Sequence, residues 1–398
     1  MTSSTARAIG TTPACLGGQP LFDKPIRFMQ PLLPPLEEVE SMYRQAYSDG
    51  MITNATLVAR LEAMVCEFLG VRHCVAVSSC TSGLMLVLRS LGVSGEVILP
   101  AFTFFATGHA GLWNGLQPVF ADCERDSWNV DPVDVERKIT SRTGAIVAVH
   151  LYGNPANTGR LDAIATRNGL RLIFDSAHAF GSSRRGIRVG SAGDAEVFSL
   201  SPTKILVAGE GGLVTTNDAA LARRLRAGRN YGDTGSYDPE LVGLSARMPE
   251  FNAALAIQGL EMVQLKVLMH NQIAAAYTAM LDGIPGLSFQ AVDGNDLSSY
   301  KDYSVLVDPA LFGMDRDQLA DALLAENIPT RKYFHPALHE QRQFSRFSTE
   351  PGSLANTEAI SRRVLSLPVY ASLGGDSVEK IAWAVRRIHE SAIEHALD

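Results

Sequence analysis

Lys204, Asp175, His178 and the small hydroxyl residues at 78–82 are the side chains whose type and position best suit chemistry, and each comes soon after a short apolar run. Lys204 is one of only seven lysines. It follows the run at 196–198 and the stretch Ser199-Leu200-Ser201-Pro202-Thr203, with Ile205-Leu206-Val207 behind it, rather than lying in a mixed-charge helix or loop. A lysine held among apolar residues sheds its proton more readily and becomes a nucleophilic amine. Asp175 follows the run at 172–174 and opens Asp175-Ser176-Ala177-His178. A carboxylate at the tip of an apolar strand must meet a positive partner, because burying an unpaired charge is costly. The cationic ring nitrogen of a cofactor would serve, and so would a neighbouring arginine, the commoner partner of an isolated aspartate. His178 taken alone is more often a hydrogen-bonded core residue than a catalyst.

Ser78-Ser79-Cys80-Thr81-Ser82-Gly83 follows the run at 73–77 and opens a helical pattern. Free N–H groups and the positive dipole end of a helix start receive an anion, and small residues let it approach. The same residue types suit a plain helix cap equally well. After 96–99 comes Pro100-Ala101-Phe102-Thr103-Phe104-Phe105. One of these aromatics could lie against a flat heteroaromatic ring, although core packing is the commoner use. Amine, carboxylate, stacking aromatic and anion cup on successive strand ends together describe a site for pyridoxal phosphate, and the set is far more specific than any member of it.

The elements that must position these groups are legible as a pattern. Apolar runs at 73–77, 96–99, 118–121, 145–149, 172–174, 196–198 and 213–215 alternate with helical stretches, of which Leu84, Val87, Leu88 and Leu91 mark the clearest. This predicts an α/β fold with a mostly parallel mixed sheet flanked by helices, and ligands gather outside the carboxyl ends of such strands. Residues 1–35, with Gly17, Gly18 and five prolines from Pro20 to Pro35, read as an irregular arm leading into a helix that Asp49 and Gly50 end. A large cofactor-binding domain over 36–248, a connecting helix over 249–285 and a smaller C-terminal α/β domain over 286–398 complete the expected organisation. The last of these shows a strand at 304–307, a helix at 316–326, a segment at 365–370 and a closing helix at 377–395.

The 398 residues, 46% hydrophobic and 19% charged, exclude disordered, collagen-like and coiled-coil classes. With 35 basic and 42 acidic residues the formal charge is −7, and nothing advertises a nucleic-acid partner. Cys15, Cys66, Cys74, Cys80 and Cys123 form no CxxC pair and no His stands at zinc-ligand spacing, so no metal is expected and the thiols read as cytoplasmic. Residues 1–10 carry no signal-peptide core, and no apolar run approaches the ~18 residues of a membrane span. Phosphate-loop, nucleophile-elbow, zincin and dinucleotide fingerprints are absent from the sequence.

Further segments complete a recognisable series: Val149-His150-Leu151-Tyr152-Gly153, Asp175-Ser176-Ala177-His178-Ala179, Phe198-Ser199-Leu200-Ser201-Pro202-Thr203-Lys204, Gly209-Glu210-Gly211-Gly212, Arg229-Asn230-Tyr231-Gly232, Arg247-Met248-Pro249-Glu250 and Leu365-Ser366-Leu367-Pro368-Val369-Tyr370. With Ser79-Cys80-Thr81-Ser82-Gly83-Leu84 and Pro100-Ala101-Phe102-Thr103-Phe104, the sequence resembles, over nearly its whole length, the DegT/StrS family of pyridoxal-phosphate-dependent sugar aminotransferases of fold type I. The resemblance implies that Lys204 bonds to the cofactor, Asp175 pairs with its pyridine nitrogen and Phe104 stacks on its ring. It also implies that backbone groups of Thr81 and Ser82 with the Ser199 hydroxyl hold the phosphate. Asn230 would reach the phosphate of the neighbouring subunit's cofactor, in a homodimer with shared sites. His178 would sit by the phenolic oxygen, where family members carry His or Gln. His there resembles members that aminate carbon four of a nucleotide-linked keto sugar. The nearest likeness, in Gly70-Val71-Arg72-His73, Gly193-Asp194-Ala195-Glu196-Val197-Phe198 and Phe334-His335-Pro336, is to dTDP-4-keto-6-deoxyglucose 4-aminotransferases of antibiotic deoxysugar pathways. Ping-pong transfer from glutamate or glutamine is the implied reaction.

Lys204 argues against the family branch that places His there and dehydrates its sugar. A keto-cyclitol acceptor of the scyllo-inosose type stays open, since no residue pattern separates it from a sugar nucleotide. A non-catalytic, cofactor-binding sensor would leave the complete lysine and aspartate set idle. Ser245 and Asn252 stand where the family often has Asn and Gln, which bears on sugar identity more than on reaction type. Arg331, Tyr333, His335 and His339 either line the sugar or nucleotide pocket or form a solvated loop.

Overall fold

All seven apolar runs become strands of one sheet in the computed structural model, which describes residues 12–347 and 350–396; the reading of residues 1–10 lies outside the described residues. The strands are β1 His73–Val77, β2 Glu96–Pro100, β3 Gln117–Ala121, β4 Thr143–Val149, β5 Arg171–Asp175, β6 Ala195–Ser199 and β7 Gly212–Thr216. Their order is β1-β7-β6-β5-β4-β2-β3. Only β7 runs antiparallel to its neighbours, β1 and β6; the other pairs are parallel. Every residue of β2, β6 and β7 is buried, because helices cover both faces, and this is why the strands read as unbroken apolar runs rather than alternating ones.

One charge inside the sheet is fully accommodated. Glu196 of β6 accepts from the backbone N–H groups of Gly190 and Ala192, both at 2.8 Å, and from the Ser176 hydroxyl at 2.6 Å. His150 Nε2 lies 3.3 Å from the oxygen that accepts from Ser176. These bonds, His150 foremost, keep the carboxylate ionised despite burial, and they pin Ser176, the residue after Asp175.

The helix Cys80–Ser90 follows β1 and buries Leu84, Val87 and Leu88 against the sheet. Its start is pressed onto β7: a Cβ on Gly212 would stand 2.5 Å from the Ser79 carbonyl carbon and 2.6 Å from Cys80 N, so only glycine lets the two backbones meet. The helix Phe105–Trp113 follows β2 and brings Thr107 inward. The expected connecting helix is two, Glu250–Glu261 and Val263–Leu281, broken at Met262. Ala253, Ala254 and Ile257 of the first pack with Leu61 and Val65; the second begins in that same core with Val263 and Val267 and passes to another, where Ile273, Tyr277 and Leu281 pack with Val305, Leu365 and Ile381. Both halves are apolar on nearly every side, so no change of pattern marks the break.

The second core belongs to a three-stranded antiparallel sheet, β8 Leu287–Phe289, β9 Tyr303–Val307 and β10 Val364–Leu367, covered by the helices Arg316–Ala325 and Gly375–Ala396. On these separate cores we propose the division into an arm, a large domain, a connector and a small domain at the boundaries above. The described part of the arm has a single 3₁₀ turn, Ala14–Leu16, and is tied to the small core by Ala14 and Leu21 N–H groups donating to the Glu326 carboxylate at 2.7 and 3.0 Å. The helix Leu36–Asp49 ends at Gly50 in the left-handed region, φ +68°. All five cysteines are free thiols. Among the described residues no helix is long and apolar enough to cross a membrane.

Candidate active site

The carboxyl ends of β1, β2, β5 and β6 converge on a cavity of about 320 Å³, and Thr81, Phe104, Asp175, His178, Ser199 and Lys204 all line it. A roomier cavity of about 550 Å³, between the helix start at 157–162 and the arginines of the 184–188 hairpin, holds none of them. Convergence of chemistry, not size, marks the site. Ser82 and Asn230 fall outside it.

Of the two readings of the 78–83 segment, the structure shows the helix cap. Ser79 Oγ accepts from Ser82 N at 3.0 Å while Ser82 Oγ accepts from Ser79 N at 3.1 Å, a reciprocal cap. Ser82's N–H is therefore engaged by Ser79, and the backbone N–H groups left over at the helix start are those of Cys80 and Thr81. They sit at the cavity wall beside Ser199, the last residue of β6.

Asp175 ends β5 with its carboxylate buried. Thr107 Oγ1 donates to Oδ2 at 2.7 Å, Ala177 N–H donates to Oδ1 at 3.1 Å, and Cys80 Sγ lies 3.8 Å from Oδ1. Burial pushes its pKa up, and these donors with the Lys204 charge only partly offset that. No arginine, lysine or histidine forms an ion pair with it among the described residues, so the commoner reading of an isolated aspartate is not the one realised. A cationic atom is what this carboxylate lacks. Thr107 and Cys80, which hold it, carry no signal in the sequence that ties them to Asp175.

Burial, and then the charge of Lys301, hold the Lys204 amine down at about 8, against 10.5 for a free lysine. The neutral amine is the nucleophile, so a lowered pKa raises its fraction at neutral pH. The rate at which apoprotein captures an aldehyde cofactor, followed as growth of visible absorbance, is therefore expected to rise with pH and level off just above 8. A rise continuing towards 10 would show that the amine is not perturbed.

Burial pushes the His178 imidazole well below its usual range, with the charges of Lys204 and Lys301 acting the same way. Its Nδ1 accepts from Tyr152 N at 3.2 Å. The neutral ring therefore carries its proton on Nε2, which becomes a hydrogen-bond donor. The ring lies nearly parallel to Phe334, 6.1 Å away. Of the three aromatics after β2, Phe102 is in the core, while Phe104 lines the cavity and packs on Phe105 with centroids 3.9 Å apart.

Four cavity residues come from far along the chain: Lys301, Asp302 and Phe334, which the sequence reading did not place at the site, and Tyr333, from the cluster left open. The rest of that cluster is elsewhere. Arg331 lies over the Phe28 ring at 5.1 Å, His335 Nδ1 is 3.3 Å from Ser361 Oγ, and His339 stands 3.7 Å from Glu358 beside Phe120. Asn230 accepts from Arg247 Nη1 at 2.7 Å, next to the exposed Tyr231.

The sequence model of the DegT/DnrJ/EryC1/StrS aminotransferase family matches residues 36–386. The chain belongs to this family. It is 34% identical over 362 residues to dTDP-4-amino-4,6-dideoxy-D-glucose transaminase of Escherichia coli, covering 90% of this chain and 97% of that protein. It is 36% identical over 332 residues to a UDP-N-acetyl-3-dehydro-alpha-D-glucosamine 3-aminotransferase of Acidithiobacillus ferrooxidans, covering 82% and 87% of the two chains. The solved structure of DesI in the presence of its TDP-sugar product superimposes with a TM-score of 0.89 at 37% identity, covering 96% of this chain and 98% of that one. This member of the DegT/DnrJ/EryC1/StrS family is thus a sugar aminotransferase with the fold-type-I architecture.

Proposed function

We propose that this aminotransferase moves an amino group from glutamate or glutamine to carbon four of dTDP-4-keto-6-deoxyglucose, using pyridoxal phosphate, as a step in deoxyaminosugar biosynthesis of the kind found in antibiotic pathways. The observation that carries the reading is a buried carboxylate, Asp175, that has no ion-pair partner among the described residues and shares one cavity with a lysine whose amine is held down at about 8. Likeness to a transaminase named for a 4-amino-4,6-dideoxy sugar supports the choice of carbon, and so does His178.

The residues present fit pyridoxal phosphate. Asp175 would face the pyridine nitrogen, Lys204 would bond to the aldehyde carbon, and the Phe104 ring would lie along one face. Thr81 N–H and the Ser199 hydroxyl would hold the phosphate at the helix start. His178, with its proton on Nε2, would donate towards the phenolic oxygen. Pyridoxal phosphate, when bound, supplies an electron sink for the charge left when the donor's α-carbon loses its proton. Asp175 would keep the ring nitrogen protonated, which deepens that sink. Lys204, with its amine free, would take the proton from the donor's α-carbon and deliver it to the cofactor's aldehyde carbon, beyond the linking nitrogen, and in the second half-reaction would do the reverse. Phe104, Tyr333 and Phe334 line the same cavity.

Asn230 lies off this chain's own cavity with Arg247 and the exposed Tyr231, as a residue serving a second copy would, and a homodimer with shared sites is part of the proposal. The compartment proposed is the cytoplasm.

The test follows the visible absorbance of cofactor-loaded protein in two steps. Glutamate is expected to abolish the band, and dTDP-4-keto-6-deoxyglucose added to the aminated enzyme is expected to restore it. Restoration by scyllo-inosose and not by the sugar nucleotide would replace the acceptor. Failure of glutamate and glutamine alike to change the band would remove the transamination reading.

A further inference from the structure

Three of the seven lysines, Lys204, Lys266 and Lys301, are drawn together behind the cavity, and the transamination steps use only the first. Lys266 donates to the Ile205 carbonyl at 3.2 Å and does not face the reacting centre. Lys301 does. It is buried, it lines the same cavity as Lys204, Asp175 and His178, and its Nζ lies 2.8 and 3.0 Å from the two carboxylate oxygens of Asp302. An ammonium has three N–H groups, so this pairing leaves at least one unspent. The Nζ also stands 5.4 Å from the centre of the ring of Tyr333, another residue that lines the cavity.

The backbone that presents this pair is fixed residue by residue to elements distant in sequence. Asn271 donates to Ser298 O at 2.9 Å, Ser299 Oγ donates to His178 O at 2.7 Å and Ser299 N donates to Ser182 Oγ at 3.0 Å. His270 Nδ1 meets Tyr300 O at 2.8 Å, and Lys301 N donates to Tyr152 O at 2.9 Å. Tyr300 is held at φ +43°, a conformation that a non-glycine residue adopts only when its surroundings impose it. A cation placed this rigidly beside the reacting amine suits a small anion that arrives at a set position.

We propose that Lys301, paired with Asp302, receives the α-carboxylate of the amino-acid donor. The proposal rests on the aminotransferase reading above. An α-carboxylate sits one bond from the carbon that loses its proton, so its receptor must stand next to Lys204. Among the described residues of this chain that line the cavity, Lys204 and Lys301 are the only lysines and there is no arginine. Lys204 is committed to the cofactor, and His178 is neutral. The diphosphate of a sugar nucleotide is the other anion that enters, but it hangs on carbon one, across the ring from carbon four, and a cation beside the reacting amine is too near for it. Lys301 does act on Lys204 and on His178 through its charge, as a neighbour of the reacting centre must.

The experiment compares glutamate with 4-aminobutyrate, which is glutamate without its α-carboxylate. The apparent second-order rate constant for loss of the visible band is measured with each amine. The ratio of the two cancels any change in Lys204 basicity, because both amines draw on the same proton transfer. In K301M/D302N, which removes both charges and so leaves no buried ion unpaired, the glutamate-to-4-aminobutyrate ratio is expected to fall roughly 10- to 100-fold, the worth of a charge-assisted hydrogen bond. K301R keeps the pair but moves the charge outward, and is expected to lower the ratio by a smaller factor. It supplies the answer if the double variant does not hold cofactor. An unchanged ratio in whichever variant folds overturns the proposal. Wild-type protein whose band responds to neither amine overturns the transamination reading itself, a separate outcome.

Discussion

Lys204→Ala is expected to leave a folded protein with no visible cofactor band on adding pyridoxal phosphate and no measurable turnover in either half-reaction. The loss should be at least ~10⁴-fold, the upper end of what positioned proton transfer alone contributes, because the same nitrogen also makes the covalent link. The fold is expected to survive. Burial already disfavours the charged form of this amine, so an alanine methyl in its place removes a desolvation cost rather than a stabilising bond. Far-UV circular dichroism and the thermal midpoint check that half of the result, and band formation with single-turnover rates checks the other. Turnover retained within tenfold of wild type would remove Lys204 from the mechanism.

Asp175→Asn should lower kcat roughly 10²- to 10³-fold, the range for deleting one preorganised electrostatic group. Asparagine keeps the size of the side chain and an oxygen to accept from the Ala177 N–H, and its amide NH2 can donate to the Thr107 hydroxyl in place of the bond that Thr107 now donates, so the packing around β5 is preserved. What it loses is the negative charge, and with it the force that keeps the ring nitrogen protonated. A cofactor analogue with carbon in place of that nitrogen separates this account from a purely positional one. With the analogue, wild type and D175N should differ by less than about threefold, within the worth of one ordinary hydrogen bond. If the large gap persists, the carboxylate acts on something else.

The strands of the large sheet were readable because parallel strands covered on both faces become unbroken apolar runs, and the groups that do chemistry sit directly after them. Lys204 stood out because its chain neighbours are apolar, so local sequence already described its surroundings. The same rule fails for Lys301. In Tyr300-Lys301-Asp302-Tyr303 a lysine beside an aspartate reads as a solvated turn, and its burial comes from bonds to residues some 30 to 150 positions away, Tyr152, His178 and His270 among them. The break at Met262 was hidden for a related reason. Two helices apolar on nearly every side, the second passing from one core to the next, look in one dimension like one helix facing a single core.

Sequence alone determined the α/β class, the strand ends that carry the site and Lys204 and Asp175 as candidate site residues, because each of these depends on periodicity or on the few residues next to it; the choice of His178, Ser199 and Phe104 came from the resemblance to the family. Tertiary structure alone decided that Asp175 has hydroxyl and N–H donors but no arginine among the described residues, that Ser82's N–H is engaged by Ser79, and that a Lys301–Asp302 pair stands in the cavity. Those outcomes depend on which groups approach one another across the fold, and the spacing of residues along a chain does not encode distances between elements that only packing brings together.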